Sequence, residues 1–160
     1  MKLRHAKEQE LPLIRGLYWA AIGRPGCTWN EDYPGETELR EDIAQNCLYT
    51  AWIDDRLIGA VSVVPSNELD DLKLWQIVDG TQREIARVVI ADAYLGQGLA
   101  VEMLALLFEQ LAEQGCKAIH LLVAKENIPA IRTYQKLGFL FLGECYRYNI
   151  DFYICEKIIA

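Results

Sequence analysis

The chain is expected to fold as a mixed α/β domain, and three observations carry that expectation. Segments whose apolar residues recur every three to four positions are interspersed with short β-branched and aromatic runs, so helices and strands share one chain. A composition of 52% hydrophobic and 24% charged residues is that of a globular body with a core. Finally, 160 residues without a repeat, a low-complexity tract or a Pro/Ser-rich linker suit a single domain over residues 1–160.

Taken in order, residues 3–6 suit a short first strand. From 8 to 22, Leu11, Ile14, Leu17, Tyr18, Ala21 and Ile22 keep helical spacing, and Gly23, Pro25 and Gly26 end the element. After the polar loop CTWNEDYPG, residues 36–46 read as a second helix with Leu39 and Ile43 inward. The stretch LYTAWIDDRLIGAVSVV holds two β-rich runs around Asp54, Asp55 and Arg56, a hairpin pattern. Residues 66–82 are ambiguous, with a short strand expected around 74–78. REIARVVIA is a β-branched run that gives way to DAYLGQG, after which Val101, Leu104, Phe108 and Leu111 mark a helix closing at Gly115. KAIHLLVA is too apolar for a half-exposed strand, and a helix follows Asn127 and Pro129 to stop at Gly138. FLFLGECYRYN and FYICEKII then suggest an antiparallel pair closing the sheet.

Composition narrows the function classes. No apolar stretch is long enough to span a membrane, and the first residues lack the apolar run of a signal peptide, so a cytoplasmic protein without a membrane partner is expected. The five cysteines are odd in number and widely spaced, as reduced thiols would be, and none has an evident activator for nucleophilic work. His5 and His120 fall in no metal-ligand spacing, so no metal is expected. A net charge of −7 argues against nucleic acid, whose phosphates need a basic face, and mildly favours a cationic partner. Trp52 and Trp75 read as core or interface residues.

The stretch YLGQGLAVEML sets Gly96 and Gly98 directly before a helix. A helix N-terminus exposes unpaired N–H groups and about half a positive charge, so an anion can rest there if no side chain intervenes. Glycine gives that clearance and a cheap positive φ. The same residues would serve equally well as a mere tight strand-to-helix connection. Neither a P-loop GK[ST] nor the third glycine of a dinucleotide-binding turn is present.

Some 30 residues on, NIPAIRTYQKLGF supplies Asn127, Ala130, Tyr134, Gly138 and Phe139 in the pattern N-x(2)-A-x(3)-Y-x(3)-G-F. Together with the glycine loop it resembles the GNAT superfamily of acyl-CoA-dependent N-acetyltransferases, and the resemblance extends over most of the chain. The family's loop reads [QR]-x-x-G-x-[GA]; Gly98 and Ala100 match, while Leu95 stands at the Gln/Arg position.

The resemblance implies a GNAT-like, mostly antiparallel sheet flanked by helices that splays open beside residues 85–91. The pantetheine arm of acetyl-CoA, the co-substrate, would lie in the gap along Val88, Val89 and Ile90, with its pyrophosphate on Leu95, Gly96, Gln97, Gly98, Leu99 and Ala100. Asn127 would bind the pantetheine by its amide, or serve as a helix cap, or both. Tyr134 would protonate the departing thiolate; otherwise it is a core tyrosine. Glu84, eleven residues before Leu95, would be the base that frees the amine, or else a solvated strand-end carboxylate beside Arg83 and Arg87. The acceptor wall would be the loop carrying Trp29, Glu31, Asp32 and Tyr33, whose rings and carboxylates suit a cation, unless the rings only anchor the loop. The implied function is acetyl transfer to a primary amine, of a small molecule or a polypeptide, by direct attack in a ternary complex. A catalytically silent acyl-CoA-binding or regulatory protein of the same fold is the other reading. Dimers are common in this fold, so a homodimer is compatible.

Overall fold

The computed structural model describes residues 1–160, apart from the side chains of Ser66 and Asn67. Its elements run β1 (Lys2–His5), α1 (Leu11–Ala21), α2 (Glu36–Ala44), β2 (Leu48–Ile53), β3 (Arg56–Pro65), β4 (Arg83–Ile90), α3 (Leu99–Glu113), β5 (Ala118–Ala124), α4 (Ile128–Lys136), β6 (Leu140–Arg147) and β7 (Ile150–Ile158). Short 3-10 segments at Glu8–Glu10, Ser66–Leu72 and Asp92–Tyr94 join them. The strands form one seven-stranded sheet in the order β1-β2-β3-β4-β5-β7-β6. All neighbours are antiparallel except β4 and β5.

Local chemistry accounts for the borders. The first helix starts at Leu11 rather than at residue 8 because the Glu10 carboxylate accepts the Lys7 N–H at 2.7 Å and pairs with Arg4 at 2.5 Å, which holds residues 8–10 as a separate 3-10 turn. The β2–β3 hairpin needs no glycine: Asp54 and Asp55 both take positive φ (48° and 65°), which aspartate tolerates, and two such residues fit the twist of the flanking strands. The strand expected around 74–78 is not formed. There the N–H groups of Gln76 and Ile77 go to the Glu156 carboxylate (2.9 and 3.1 Å) instead of to a neighbouring strand, and Trp75 turns inward to donate to the Leu69 carbonyl at 2.8 Å.

The sheet is covered on both faces. On one, Met103, Leu104, Leu107, Phe108 and Leu111 of α3 pack with Ile131 and Tyr134 of α4 against Ile85, Ile119, Leu121 and Val123. On the other, Leu11, Ile14, Leu17 and Tyr18 of α1 and Leu39 and Ile43 of α2 cover Leu48, Ala60 and Val89. Each fully buried aliphatic side chain contributes about 1.5–3 kcal/mol, so these two clusters dominate stability. A third, smaller cluster of Leu69, Trp75 and Ile154 lies beneath the β3–β4 connection.

One feature of the sheet positions the site. β4 and β5 are registered only at Arg83↔Ile119 and Glu84↔His120, and beyond Glu84 the two strands part. The remainder of β4, from Ile85 to Ile90, is paired on the β3 side alone. A sheet split at its centre leaves main-chain groups along an open cleft, which a bound ligand can satisfy.

Candidate functional site

The glycine loop lies just beyond the end of β4. Gly96 and Gly98 both have φ of 74°, and a Cβ placed on either would meet nothing within 4 Å. Gly98 caps α3, whose first helical hydrogen bond runs from Glu102 N–H to the Gly98 carbonyl at 3.2 Å. Among the described residues, the N–H groups of Leu99, Ala100 and Val101 have no acceptor. With Leu95, Gly96, Gln97 and Gly98 all exposed, the open N-terminus of a fifteen-residue helix faces solvent free of side-chain cover. That arrangement fits a phosphate group.

Asn127 and Tyr134 sit on the other lip. Asn127 caps α4, its Oδ1 accepting the Ala130 N–H at 3.3 Å, while its amide nitrogen makes no hydrogen bond among the described residues. The cap and the ligand-binding roles are therefore compatible. Tyr134 is buried with its ring edge-on to Phe139 (5.4 Å), and its hydroxyl makes no hydrogen bond among the described residues. Burial, and then the neighbouring Cys155, push its pKa above the ordinary phenol value, so it stays protonated at neutral pH.

Glu84 is half-buried at the last paired position before the strands part. Burial, reinforced by the charge of Glu68, raises its pKa to about 7 against the opposing pull of Arg87 and Arg147. A carboxylate so tuned exchanges protons near neutrality.

Beside it, β4 bulges. Ala60↔Val89 and Ser62↔Ala86 leave one extra residue on β4, and Arg87 takes a φ of 55° there. The bulge turns the Arg87 carbonyl to the Tyr18 hydroxyl (2.6 Å), and its guanidinium meets Asp42 at 2.6 Å and the Tyr33 hydroxyl at 3.0 Å. Ser62 donates to the same Asp42 oxygen at 2.6 Å. Burial alone would weaken the Arg87 cation, but Asp42 and Tyr33 outweigh it and raise its pKa. Nothing in the sequence beyond one arginine inside ARVVI hinted at this network.

The loop between α1 and α2 is tied to that network. Trp29 packs edge-on against Tyr18 (5.1 Å) and Tyr33 binds Arg87, so both rings anchor the loop. Glu31 and Asp32 are exposed at its tip, on a turn held by Asn30 Oδ1. Arg87 thus binds the base of this loop through Tyr33 while its charge is felt at Glu84, and Gly96–Ala100 and Asn127 follow the ends of β4 and β5 at the open end of the cleft. All five cysteines are free, and no group of three or more metal-ligating side chains occurs among the described residues. Among the described residues, no helix is long and apolar enough to cross a membrane.

Comparison with known proteins agrees with this geometry. The family model described as "Acetyltransferase (GNAT) family" matches residues 14–139. The spermine/spermidine N(1)-acetyltransferase of Bacillus subtilis is 48% identical over 59 residues, 36% of this chain and 39% of that protein. The chain therefore matches well under half the length of that relative. An L-methionine sulfoximine/L-methionine sulfone acetyltransferase of Pseudomonas aeruginosa is 25% identical over 150 residues, 89% of this chain and 81% of that one. Among solved structures, a GNAT-family acetyltransferase from Streptococcus agalactiae superposes with a TM-score of 0.86 at 22% identity, covering 98% and 94% of the two chains. The putative acetyltransferase YncA of Salmonella typhimurium, determined with its cofactor acetyl-CoA, gives 0.74 at 17% identity over 100% and 94%.

Proposed function

The chain belongs to the acetyltransferase (GNAT) family, and from that premise we propose that it transfers the acetyl group of acetyl-CoA to a primary amine by direct attack in a ternary complex. The observation that carries the proposal is the parting of β4 and β5 beyond Glu84 and His120, with an uncovered helix N-terminus at one end of the cleft and a carboxyl group titrating near neutrality at the other.

The residues divide the work. Main-chain N–H groups of residues 95–100 hold the pyrophosphate, whose charge the α3 dipole favours. The Asn127 amide and the cleft side of Val88, Val89 and Ile90 hold the pantetheine arm, and an N–H of that strand meets the charge developing on the acetyl oxygen. An alkylamine with a pKa of about 10.4 arrives protonated, so it must lose a proton before it attacks. Glu84, with a pKa of about 7, accepts that proton directly or through a water. Tyr134 keeps its hydroxyl proton for the departing thiolate. The ammonium loses two protons in all, one to Glu84 before attack and one from the nitrogen of the tetrahedral adduct. The second replaces, through solvent, the proton that Tyr134 gives to sulfur, and Glu84 releases the first to solvent, so that acetylation of an ammonium frees one net proton.

The test is CoA release measured with spermidine, L-methionine sulfoximine, L-lysine and n-butylamine, with the acetylated product identified by mass. Release with any of the four supports the reading. Tight acetyl-CoA binding by calorimetry without release would make the chain a silent acyl-CoA-binding protein instead.

A further inference from the structure

Glu84, His120 and Glu156 form one row across the centre of the sheet, registered Glu84↔His120 and His120↔Glu156. Residues registered across neighbouring strands point to the same face, so all three stand on the face roofed by the β3–β4 connection. His120 and Glu156 are fully buried, with His120 Nε2 2.8 Å from Glu156 Oε2. The two Glu156 oxygens also take the N–H groups of Gln76 and Ile77, and the His120 ring stacks on Trp75 at 3.8 Å with only 8° between the planes. Arg147 secures an earlier part of the same connection, through the Glu68 carbonyl (3.3 Å) and Asp71 (2.7 Å).

This is costly packing. Burial holds the His120 imidazole below its ordinary pKa against the pull of Glu156, so the neutral ring donates Nε2–H to the carboxylate. That leaves Nδ1 as a buried acceptor with no partner among the described residues. An unsatisfied buried polar atom is destabilising, and an apolar pair could have filled the space without that penalty. The pair does supply two acceptor sites for a segment, residues 73–82, that has no regular structure of its own.

We propose that the buried His120–Glu156 pair is a positioning unit for the acceptor amine: through Gln76, Ile77 and Trp75 it fixes the β3–β4 connection as a second wall of the acceptor site, above Glu84. The connection also brings Glu68 close enough for its charge to be felt at Glu84, which suits a wall that receives an ammonium group. The inference rests on the acetyltransferase reading and adds to it which segment confines the amine.

Steady-state kinetics of Glu156→Gln and Arg147→Gln test it, using whichever of the four amines wild type acetylates fastest. An amide at 156 turns one acceptor into a donor facing N–H groups. KM for the amine should then rise about tenfold while KM for acetyl-CoA stays within about twofold, with faster hydrogen exchange at Gln76 and Ile77. Arg147→Gln loosens the exposed end of the same connection and should raise amine KM about threefold; it decides the matter if Glu156→Gln does not fold. A purely structural pair would lower the melting temperature and leave both KM values alone, or move them together, and either result overturns the inference. The two readings fail differently. A wild type inactive with every amine removes both, whereas an active wild type whose variants keep its amine KM removes this one alone.

Discussion

Gly26 lies so close to Asn127 that a Cβ on it would stand 2.6 Å from the Asn127 Cα and 2.5 Å from the Glu126 carbonyl oxygen. Two residues earlier, Arg24 binds the Ile90 carbonyl at 3.0 Å and Asp92 at 2.5 Å, at the end of β4. One short turn of the α1–α2 loop therefore touches both lips of the cleft. The loop that carries Glu31 and Asp32 is seated on the same main chain that would hold the cofactor's arm.

Gly26→Ala should break that seat. Its φ of 80° costs an L-residue about 1–2 kcal/mol, and the contact with main chain cannot relax by turning a side chain. A melting temperature lower by several degrees is expected, at about 2–4 °C per kcal/mol for a chain of this size. Because Asn127 must move, weaker acetyl-CoA binding by calorimetry should accompany it. An unchanged melting curve would show that the loop does not bridge the lips in solution.

Glu84→Gln carries a prediction in two parts with definite signs. Wild-type kcat/KM should climb through an apparent pKa of about 7 as the carboxylate ionises, and the variant should lose that limb and gain activity only as the amine itself deprotonates at higher pH. Stability runs the other way. The folded pKa is raised from the ordinary 4.5, so the stabilisation from holding the proton is complete below 4.5 and is lost as pH rises through about 7. The variant should melt above wild type at pH 8 and with it near pH 4. Equal melting temperatures across that range would mean that Glu84 is solvated rather than tuned.

Tyr134→Phe should lower kcat by about 10²–10⁴-fold while the affinity for acetyl-CoA, read by calorimetry, hardly changes, since the ring and its contact with Phe139 remain. Because the ring packing is kept, the melting temperature should also stay near wild type. A large loss of stability with kcat intact would return the residue to core packing.

Much of this architecture was legible in the sequence because it is written in local chemistry. Helix spacing, the Asp54–Asp55 turn, the glycines before α3 and the Asn127–Pro129 start of α4 each act within a few residues of themselves. The β3–β4 connection was not legible. Its shape comes from Glu156, some 80 residues away, which draws the N–H groups of Gln76 and Ile77 out of any strand. The Arg87 network is similar: Tyr18, Asp42 and Ser62 come from three different elements, and no local period records their meeting. Titratable residues inside apolar strands, Arg87 in ARVVI, His120 in AIHLLVA and Glu156 in YICEKI, were the one available sign. Such residues must find partners when buried, and here each of them does.

The acceptor loop gives the last test. With Trp29 held by Tyr18 and Tyr33 by Arg87, the rings fix the loop while Glu31 and Asp32 stand exposed at its tip. Exposed carboxylates attract a cation across water, an effect that fades beyond about 8 Å at physiological salt. Neutralising both, as Glu31→Gln with Asp32→Asn, should therefore raise KM for a cationic amine about three- to tenfold at low salt. The difference from wild type should shrink as salt is added, with KM for acetyl-CoA unchanged throughout. Stability should barely move, since neither side chain is buried and the Asn30 turn that shapes the tip stays intact. The comparison with Glu156→Gln is informative because that pair acts through fixed main chain, and its effect on amine KM should persist at high salt. If the double variant instead matches wild type at every salt concentration, the α1–α2 loop only closes the cleft, and recognition of the amine falls to Glu84 and the β3–β4 connection.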